Sequence, residues 1–410
     1  MTVPAAVDEK RKKILGLHPN VFFMGVTSLL TDISSELIFT LVPLFMSNVL
    51  GASSTLIGLV GGISDSADSL FRIVSGWFSD KIGKRKLITV LGYGFSTAVK
   101  PFMLLANSWG VVAGVRFGDR VGKGVRTSSR DALIADSVGE KERGRSFGLH
   151  RAMDTSGAVI GLIIAAIIVY LIPGDKFHLE KNAYHWMVMI GIIPAVLAVV
   201  VLITLVQERK KLAATVKSGI SKPAALTPFS NQFKLYLVIM ALFTLGNSSD
   251  FFLIMDAQHI KTPLLQVVLM LVLFNITYAL ISMPMGVLSD KIGRKRVITT
   301  GWLIYGLVYL GFALSSSIWE IWLLFAVYGI FYGICEGAAK AFVADMVPAE
   351  RRGTAYGLYN GVVGLIALPA SLIAGILWDR IAPAAAFYFG AGLALLAMAG
   401  LMFLIKERKS

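Results

Sequence analysis

Apolar residues in this chain come in long blocks separated by polar connections, and the blocks share one scale. A helix needs roughly 20 mostly apolar residues to cross a bilayer, and twelve runs of that kind can be traced. Their limits are 20–47, 54–79, 87–106, 109–136, 146–172, 185–206, 232–257, 263–288, 296–315, 319–346, 354–378 and 383–405; they are numbered here as spans 1–12. Most connections are short. The exceptions are "PGDKFHLEKNAYH" between spans 5 and 6, and the polar, basic "QERKKLAATVKSGISKPAALTPFSNQ" between spans 6 and 7. The latter falls halfway and divides the chain into six plus six. The expected organisation is a tail (1–19), a six-helix bundle (20–206), a linker (207–231), a second six-helix bundle (232–405) and a short tail (406–410). The expected fold class is an all-α membrane protein.

Composition agrees with this pattern. The 410 residues are 56% hydrophobic and only 16% charged, where a soluble domain is typically about a quarter charged. Mean hydropathy is +0.72. The single cysteine, Cys335, excludes a disulfide scaffold and a cysteine-based metal site. The basic run Lys10–Lys13 precedes the first apolar block without a small-residue cleavage site after it, so the start reads as a tail leading into a retained span.

The net charge of +14 suggests nucleic acid until its placement is considered. The two tails and the 2–3, 4–5, 6–7, 8–9 and 10–11 loops together hold 25 Lys and Arg, while the opposite side holds four: Lys176, Lys181, Lys261 and Arg380. Basic loops stay on the cytoplasmic face, so both termini are expected in the cytoplasm and the protein in the inner (cytoplasmic) membrane. Most of the charge is then a topology signal, and no nucleic acid is called for.

The halves repeat. "SGWFSDKIGKRKLITVLGYG" (75–94) matches "PMGVLSDKIGRKRVITTGWL" (284–303), and "ADSVGEKERGRSFGL" (135–149) matches "ADMVPAERRGTAYGL" (344–358). "LTDISSELIF" (30–39) resembles "LGNSSDFFLI" (245–254) more weakly, with Ser-Ser-acid kept. Duplicated bundles with a site between them are how secondary transporters are built.

On these residues the chain resembles the major facilitator superfamily of bacterial type with 12 transmembrane helices. Gly76-x3-Asp80-Lys81-x-Gly83-x-Arg85-Lys86 is similar to the superfamily's loop 2–3 signature, and Gly286-x3-Asp290-Lys291-x-Gly293-x-Lys295-Arg296 is its copy. The acid-x6-Arg-Gly runs at Asp136/Arg143 and Asp345/Arg352 resemble its second cytoplasmic motif. The resemblance implies two bundles related by pseudo-two-fold symmetry, rocking about a central site by alternating access. The duplicated motifs would form a cytoplasmic gate, with charge pairs that hold one side shut and Gly83 and Gly293 permitting tight turns. Superfamily antiporters often carry Gly-Pro in span 5; here Gly157 and Gly161 occur without proline.

Charge inside the spans marks the candidate site. On span 4, projected at about 100° per residue, Arg116, Arg120, Lys123, Arg126 and Arg130 fall within roughly a third of the helix circumference. Ionised groups in hydrocarbon are expensive, so such a stripe must face the bundle interior. The resemblance adds Arg116, whose counterpart in superfamily antiporters is implicated in proton coupling. The stripe's other reading is structural pairing: ten acids lie within the spans, among them Asp32 and Glu36 in span 1, Asp65 and Asp68 in span 2, Asp119 and Asp131 in span 4, Asp154 in span 5 and Asp250 in span 7. The proton-coupling candidates are Asp32, Glu36, Arg116 and Asp250, since burial raises and a nearby arginine lowers the proton affinity of a carboxyl. The substrate-cavity candidates are Asp65, Asp68, Arg120, Lys123, Arg126, His150, Arg151, Asp154, Asn247, Asn275, Glu336 and Lys340. Glu336 and Lys340, one turn apart, are expected to pair.

A phosphate-loop spacing, a metal-spaced histidine cluster and a nucleophile elbow are all missing from the sequence, so enzymatic activity, a cofactor and a metal are not expected. The expected function is proton-coupled secondary transport of a small organic substrate with an anionic group, in a monomer embedded in the bilayer. The alternative is a drug/proton antiporter.

Overall fold

In a computed structural model of the chain, residues 14, 18–82, 84–139, 142–208, 229–348 and 351–405 are described. Among the described residues the backbone makes twelve helical passes, because in lipid backbone N–H and C=O groups must be satisfied internally. Nine are single helices: Ser54–Ile82 (span 2), Trp109–Ser137 (4), Arg143–Leu171 (5), Lys181–Leu205 (6), Leu264–Ile292 (8), Arg294–Leu314 (9), Ile318–Met346 (10), Arg352–Arg380 (11) and Pro383–Leu404 (12). Among the described residues, ten passes are apolar enough to cross a membrane on composition alone. Spans 2 and 4 are the two that are not, because they carry the charge that faces inward.

The remaining three passes are broken, and sequence explains two of the breaks. Span 1 runs Pro19–Phe39 and continues through Val42–Leu44 and a π-turn at Phe45–Val49. Pro43 lacks an N–H and crowds the carbonyl of Phe39, which ends the first helix. Span 3 runs Arg85–Val99 and tightens into a 3₁₀ turn at Lys100–Leu105, with Pro101 at its start. Span 7 is Asn231–Gly246 followed by Phe251–His259, with no proline between. There the freed groups are met from neighbouring helices: Tyr305 Oη donates to the Gly246 carbonyl at 3.1 Å, and the Ser249 N–H donates to Ser371 Oγ at 3.0 Å.

Span 2 packs along span 11, and span 5 along span 8. Because spans 2 and 5 have spans 8 and 11 as repeat mates, a two-fold axis exchanges these seams. The close approach at the first seam depends on glycine: a Cβ on Gly58 would lie 2.2 Å from the Ser371 carbonyl oxygen. Away from the seams each half has an apolar interior. That of the second half is markedly aromatic, with Trp302 stacked on Phe243 and Tyr305 on Tyr309.

The two ends of the bundle differ. The described parts of the basic 2–3, 4–5, 8–9 and 10–11 loops lie at one end. At the other, the far end, the halves are tied together. The Asn48 and Gln258 side chains exchange hydrogen bonds (3.1 and 2.8 Å), and Gln258 Nε2 also donates to the Phe177 carbonyl at 2.8 Å. The Leu264 N–H donates to the Lys176 carbonyl at 2.8 Å. Asp379 accepts from the N–H groups of Ser54 (3.0 Å) and Thr55 (2.7 Å).

Candidate functional site

Two connected polar cavities lie between the halves. The deeper one, about 240 Å³, is lined on one side by Asp32, Glu36, Asp65, Arg116, Arg120 and Lys123, and on the other by Asp250, Phe251, Phe274 and Asn275. The second, about 610 Å³, shares Asp32, Glu36, Lys123 and Asn275 and extends towards the basic end past Arg126, Arg130, His150, Arg151, Asp154, Tyr278, Glu336 and Lys340. It reaches the surface there, with the Arg151 and Lys340 side chains 51% and 54% exposed. The structure is thus open at the basic end and tied at the far end.

Two of the candidate residues line neither cavity. Asp68 is taken by Arg72 one turn along the same helix, at 2.8 Å. Asn247 sits in the break of span 7, where its side chain accepts from Tyr305 Oη at 3.2 Å. The remaining cavity candidates come together as expected from the helical projection.

The span-4 stripe shares its cavity with acids but is not tied to them by direct contacts. Among the described residues, Arg116, Arg120, Lys123 and Arg126 form no ion pair, whereas Arg72, Arg130, Arg151 and Lys340 all do. The Arg116 guanidinium, 3% exposed, lies between the rings of Phe39 (5.0 Å) and Phe251 (5.2 Å), one from each half. Arg126 lies over Tyr93 at 4.5 Å. Buried nitrogens of Arg116, Arg120 and Arg126 have no hydrogen-bond partner. Arg130, by contrast, is held by its neighbour Asp131 at 2.9 Å.

The acids have partners other than these bases. Glu36 accepts from the Thr40 hydroxyl, Asp119 from Ser96 (2.5 Å), and Asp250 from Tyr328 (2.6 Å) and Tyr332 (3.4 Å). Asp154 accepts from Ser28 at 2.5 Å. The fully buried Lys100 donates to Ser34 (2.8 Å) and Ser35 (3.1 Å), with no acid. Nearer the basic end, Glu336 collects Arg151 (2.9 Å), Lys340 (3.2 Å) and the Tyr278 hydroxyl. The Arg151 bond crosses from one half to the other.

Sequence reasoning missed Tyr328, whose hydroxyl fixes Asp250, and the partnership of Phe39 with Arg116. Tyr328 and Tyr332 stand one turn apart on the face of span 10 that also carries Glu336, a pattern that could have indicated the first.

At the basic end, Gly83, the surroundings of Gly76 and the side chains of Asp80, Arg143 and Arg352 lie outside the described residues. Arg85 pairs with Asp136 at 2.6 Å and donates to the Ala132 carbonyl at 2.8 Å. In the copy, the pair shifts by one position. Arg294, aligned with Lys84, bridges Asp290 (3.3 Å) and Asp345 (3.0 Å). Lys295, placed in the gate from its alignment with Arg85, instead donates to the Met402 and Ile405 carbonyls (2.9 and 2.7 Å). Gly293 has φ +95°, and span 9 starts at Arg294, one residue earlier in the motif than the start of span 3 at Arg85. Gly286 has open space where a Cβ would stand, so no close approach requires glycine there.

The sequence profile of the Major Facilitator Superfamily matches residues 24–261 and 235–410. An MFS-type transporter of Methanocaldococcus jannaschii is 39% identical over 397 residues, 95% of each chain. The fold is similar to a crystal structure of the nucleoside transporter NupG, with TM-score 0.72 at 14% identity, covering 95% of this chain and 99% of that one. It is also similar to that of a mutant of the peptide transporter POT in complex with sulfate, with TM-score 0.77 at 13% identity, covering 96% and 95%. The chain belongs to the Major Facilitator Superfamily and is a multi-pass membrane transporter of that family, not an enzyme.

Proposed function

We propose that this transporter is a proton-coupled secondary carrier working by alternating access, and that its substrate is a small organic molecule with an anionic group. The observation that carries this is the set of four bases, Arg116, Arg120, Lys123 and Arg126, that face the cavities without an ion pair among the described residues. Unpaired charge at such depth costs several kcal/mol, and an anionic ligand offsets that cost. Asp32, Glu36, Arg116 and Asp250 line the same cavity and are the proton-coupling candidates. Protonation would be favoured when the site is dry and release when it faces water. The remaining expectations belong to this proposal: residues 207–231 as the linker between bundles, both termini in the cytoplasm, the inner membrane and a monomer.

Transport in proteoliposomes across an imposed pH gradient tests it, with anionic metabolites run against cationic dyes. Anions should move and compete with one another. The aromatic lining by Phe147, Phe251, Phe274 and Tyr278 favours the drug/proton antiport alternative, and dye movement without anion movement would establish that in its place. Asp32→Asn and Glu36→Gln should abolish gradient-driven uptake while sparing exchange. Unchanged driven uptake in both variants would remove them as the coupling site.

A further inference from the structure

The deeper cavity carries both signs of charge, and its balance does not suit a simple anion. Three bases line it, all from span 4, against five carboxyls: Asp32, Glu36, Asp65, Asp119 and Asp250. A purely anionic ligand would meet those carboxyls as well as the bases, at short range in a medium that screens poorly. A ligand with no net charge but two separated poles would leave the balance undisturbed and still engage the bases. From the second half, Asp250 is the one charged residue that lines the cavity.

Asp250 is built as an ammonium acceptor. Its carboxylate takes hydrogen bonds from Tyr328 Oη (2.6 Å) and Tyr332 Oη (3.4 Å), which fix its direction. Phe274 lines the cavity beside it, with its ring 5.5 Å from each of those two tyrosine rings. A fixed carboxylate next to an aromatic wall is a pairing that attracts cations, through charge and through the ring quadrupole.

Resting on the transport reading above, we propose that the substrate is a small zwitterion of amino-acid type. Its carboxylate engages Arg116, Arg120 and Lys123 on the first half, and its ammonium engages Asp250 and the Phe274 face on the second. Such a ligand bridges the two halves directly, because the bases of this cavity all come from span 4, while among the described residues the second half contributes the Asp250 carboxylate and no base to its wall.

Matched sets of ligands test this on the purified full-length protein, by thermal shift and by competition in exchange assays. The probes are α-amino acids and ω-amino acids of three to six carbons, the carboxylic acids of the same skeletons, and the amines of the same skeletons. At least one amino acid should bind about tenfold or more tightly than its parent acid, the scale of one charge-assisted contact. Asp250→Asn should bring that ratio close to one while leaving acid binding within about twofold, whereas Lys123→Ala should weaken both. Tyr328→Phe, which keeps the ring and removes the donor, should lower the ratio several-fold and serves should Asp250→Asn fail to fold. Acids that bind as tightly as amino acids would overturn the zwitterion and leave the anion reading standing. A ratio unmoved by both Asp250→Asn and Tyr328→Phe would equally overturn the zwitterion. Amines that bind while acids and amino acids do not would overturn both readings. Binding by none of the probes would overturn the inference.

Discussion

Spans 4 and 10 are one helix made twice: each has 29 residues and a serine at its N-cap. Matched end to end, Arg116, Arg120, Lys123, Arg126 and Arg130 correspond to Phe325, Gly329, Tyr332, Cys335 and Ala339. One copy presents bases to the cavity; the other buries rings and small side chains against its own half, with Phe325 packed edge-on to Phe312 at 5.7 Å. Asp119, held by Ser96, corresponds to Tyr328, which holds Asp250. The repeat therefore preserves the backbone and its crossings, while the row of cavity-facing bases stands on one copy.

The comparison can be broken first at what the copies share. Gly124 and Gly333 occupy matching places where the helix meets its neighbour. A Cβ on Gly124 would lie 2.8 Å from the Asp68 carbonyl oxygen, and one on Gly333 would lie 3.0 Å from Ile281 Cβ. Gly124→Leu and Gly333→Leu should both lose most folded protein on gel filtration, since overpacking costs about 1–3 kcal/mol even without a backbone clash. A normal yield of either would show that its crossing tolerates separation.

A smaller effect tests what the copies do not share. Lys123→Ala should raise the substrate Kd by about tenfold or more, roughly 1.4 kcal/mol, with little loss of protein yield. Tyr332→Phe at the matching position should change it by less than about threefold, because it removes only a long hydrogen bond. Equal effects would mean that both copies recognise the ligand. If Lys123→Ala instead costs yield more than binding, the stripe is structural.

The smallest effect concerns the shifted ion pairs at the basic end. Arg85 and Asp136 are 14% and 35% exposed, while Arg294 and Asp345 are 26% and 53% exposed. Thermal melts should show Arg85→Ala costing more than Arg294→Ala, with both near or below about 1 kcal/mol. The reverse order would assign the stronger tie to the second half.

Much of this was legible in the chain, for identifiable reasons. Span limits could be read because hydrocarbon tolerates no unsatisfied backbone; span 4, expected at 109–136, runs Trp109–Ser137. The inward direction of its bases followed from helical periodicity. Pairings were legible only where both partners share a helix, as with Glu336 and Lys340. Asp68 had such a partner in Arg72, four residues on, and that signal outweighs a place in the cavity. Arg151 and Glu336 lie 185 residues apart, so only the assembled bundle brings them together. Asn247 looked like a cavity group because nothing in "LGNSSD" announces the break that turns it towards Tyr305. The one-residue shift of the second gate's ion pair could not be read from the shared motif, which sets Lys295 opposite Arg85.

The tie across the far end bears on how the two faces of the membrane are weighted. The bonds joining Asn48, Gln258, Phe177, Lys176 and Leu264 must be released together for the halves to part there. Each contributes about 0.5–1.5 kcal/mol net, so the set holds back opening on that face by roughly 2–6 kcal/mol. On the alternating-access proposal, the conformer open to the far side is then a minor population without ligand, and a solute arriving from there meets an apparent affinity lowered by that fraction. A solute arriving from the basic end meets a site already accessible. Relaxing the tie with Gln258→Ala should therefore strengthen apparent binding from the far side and leave binding from the basic end nearly unchanged, so that the two faces respond to one substitution with different sensitivity.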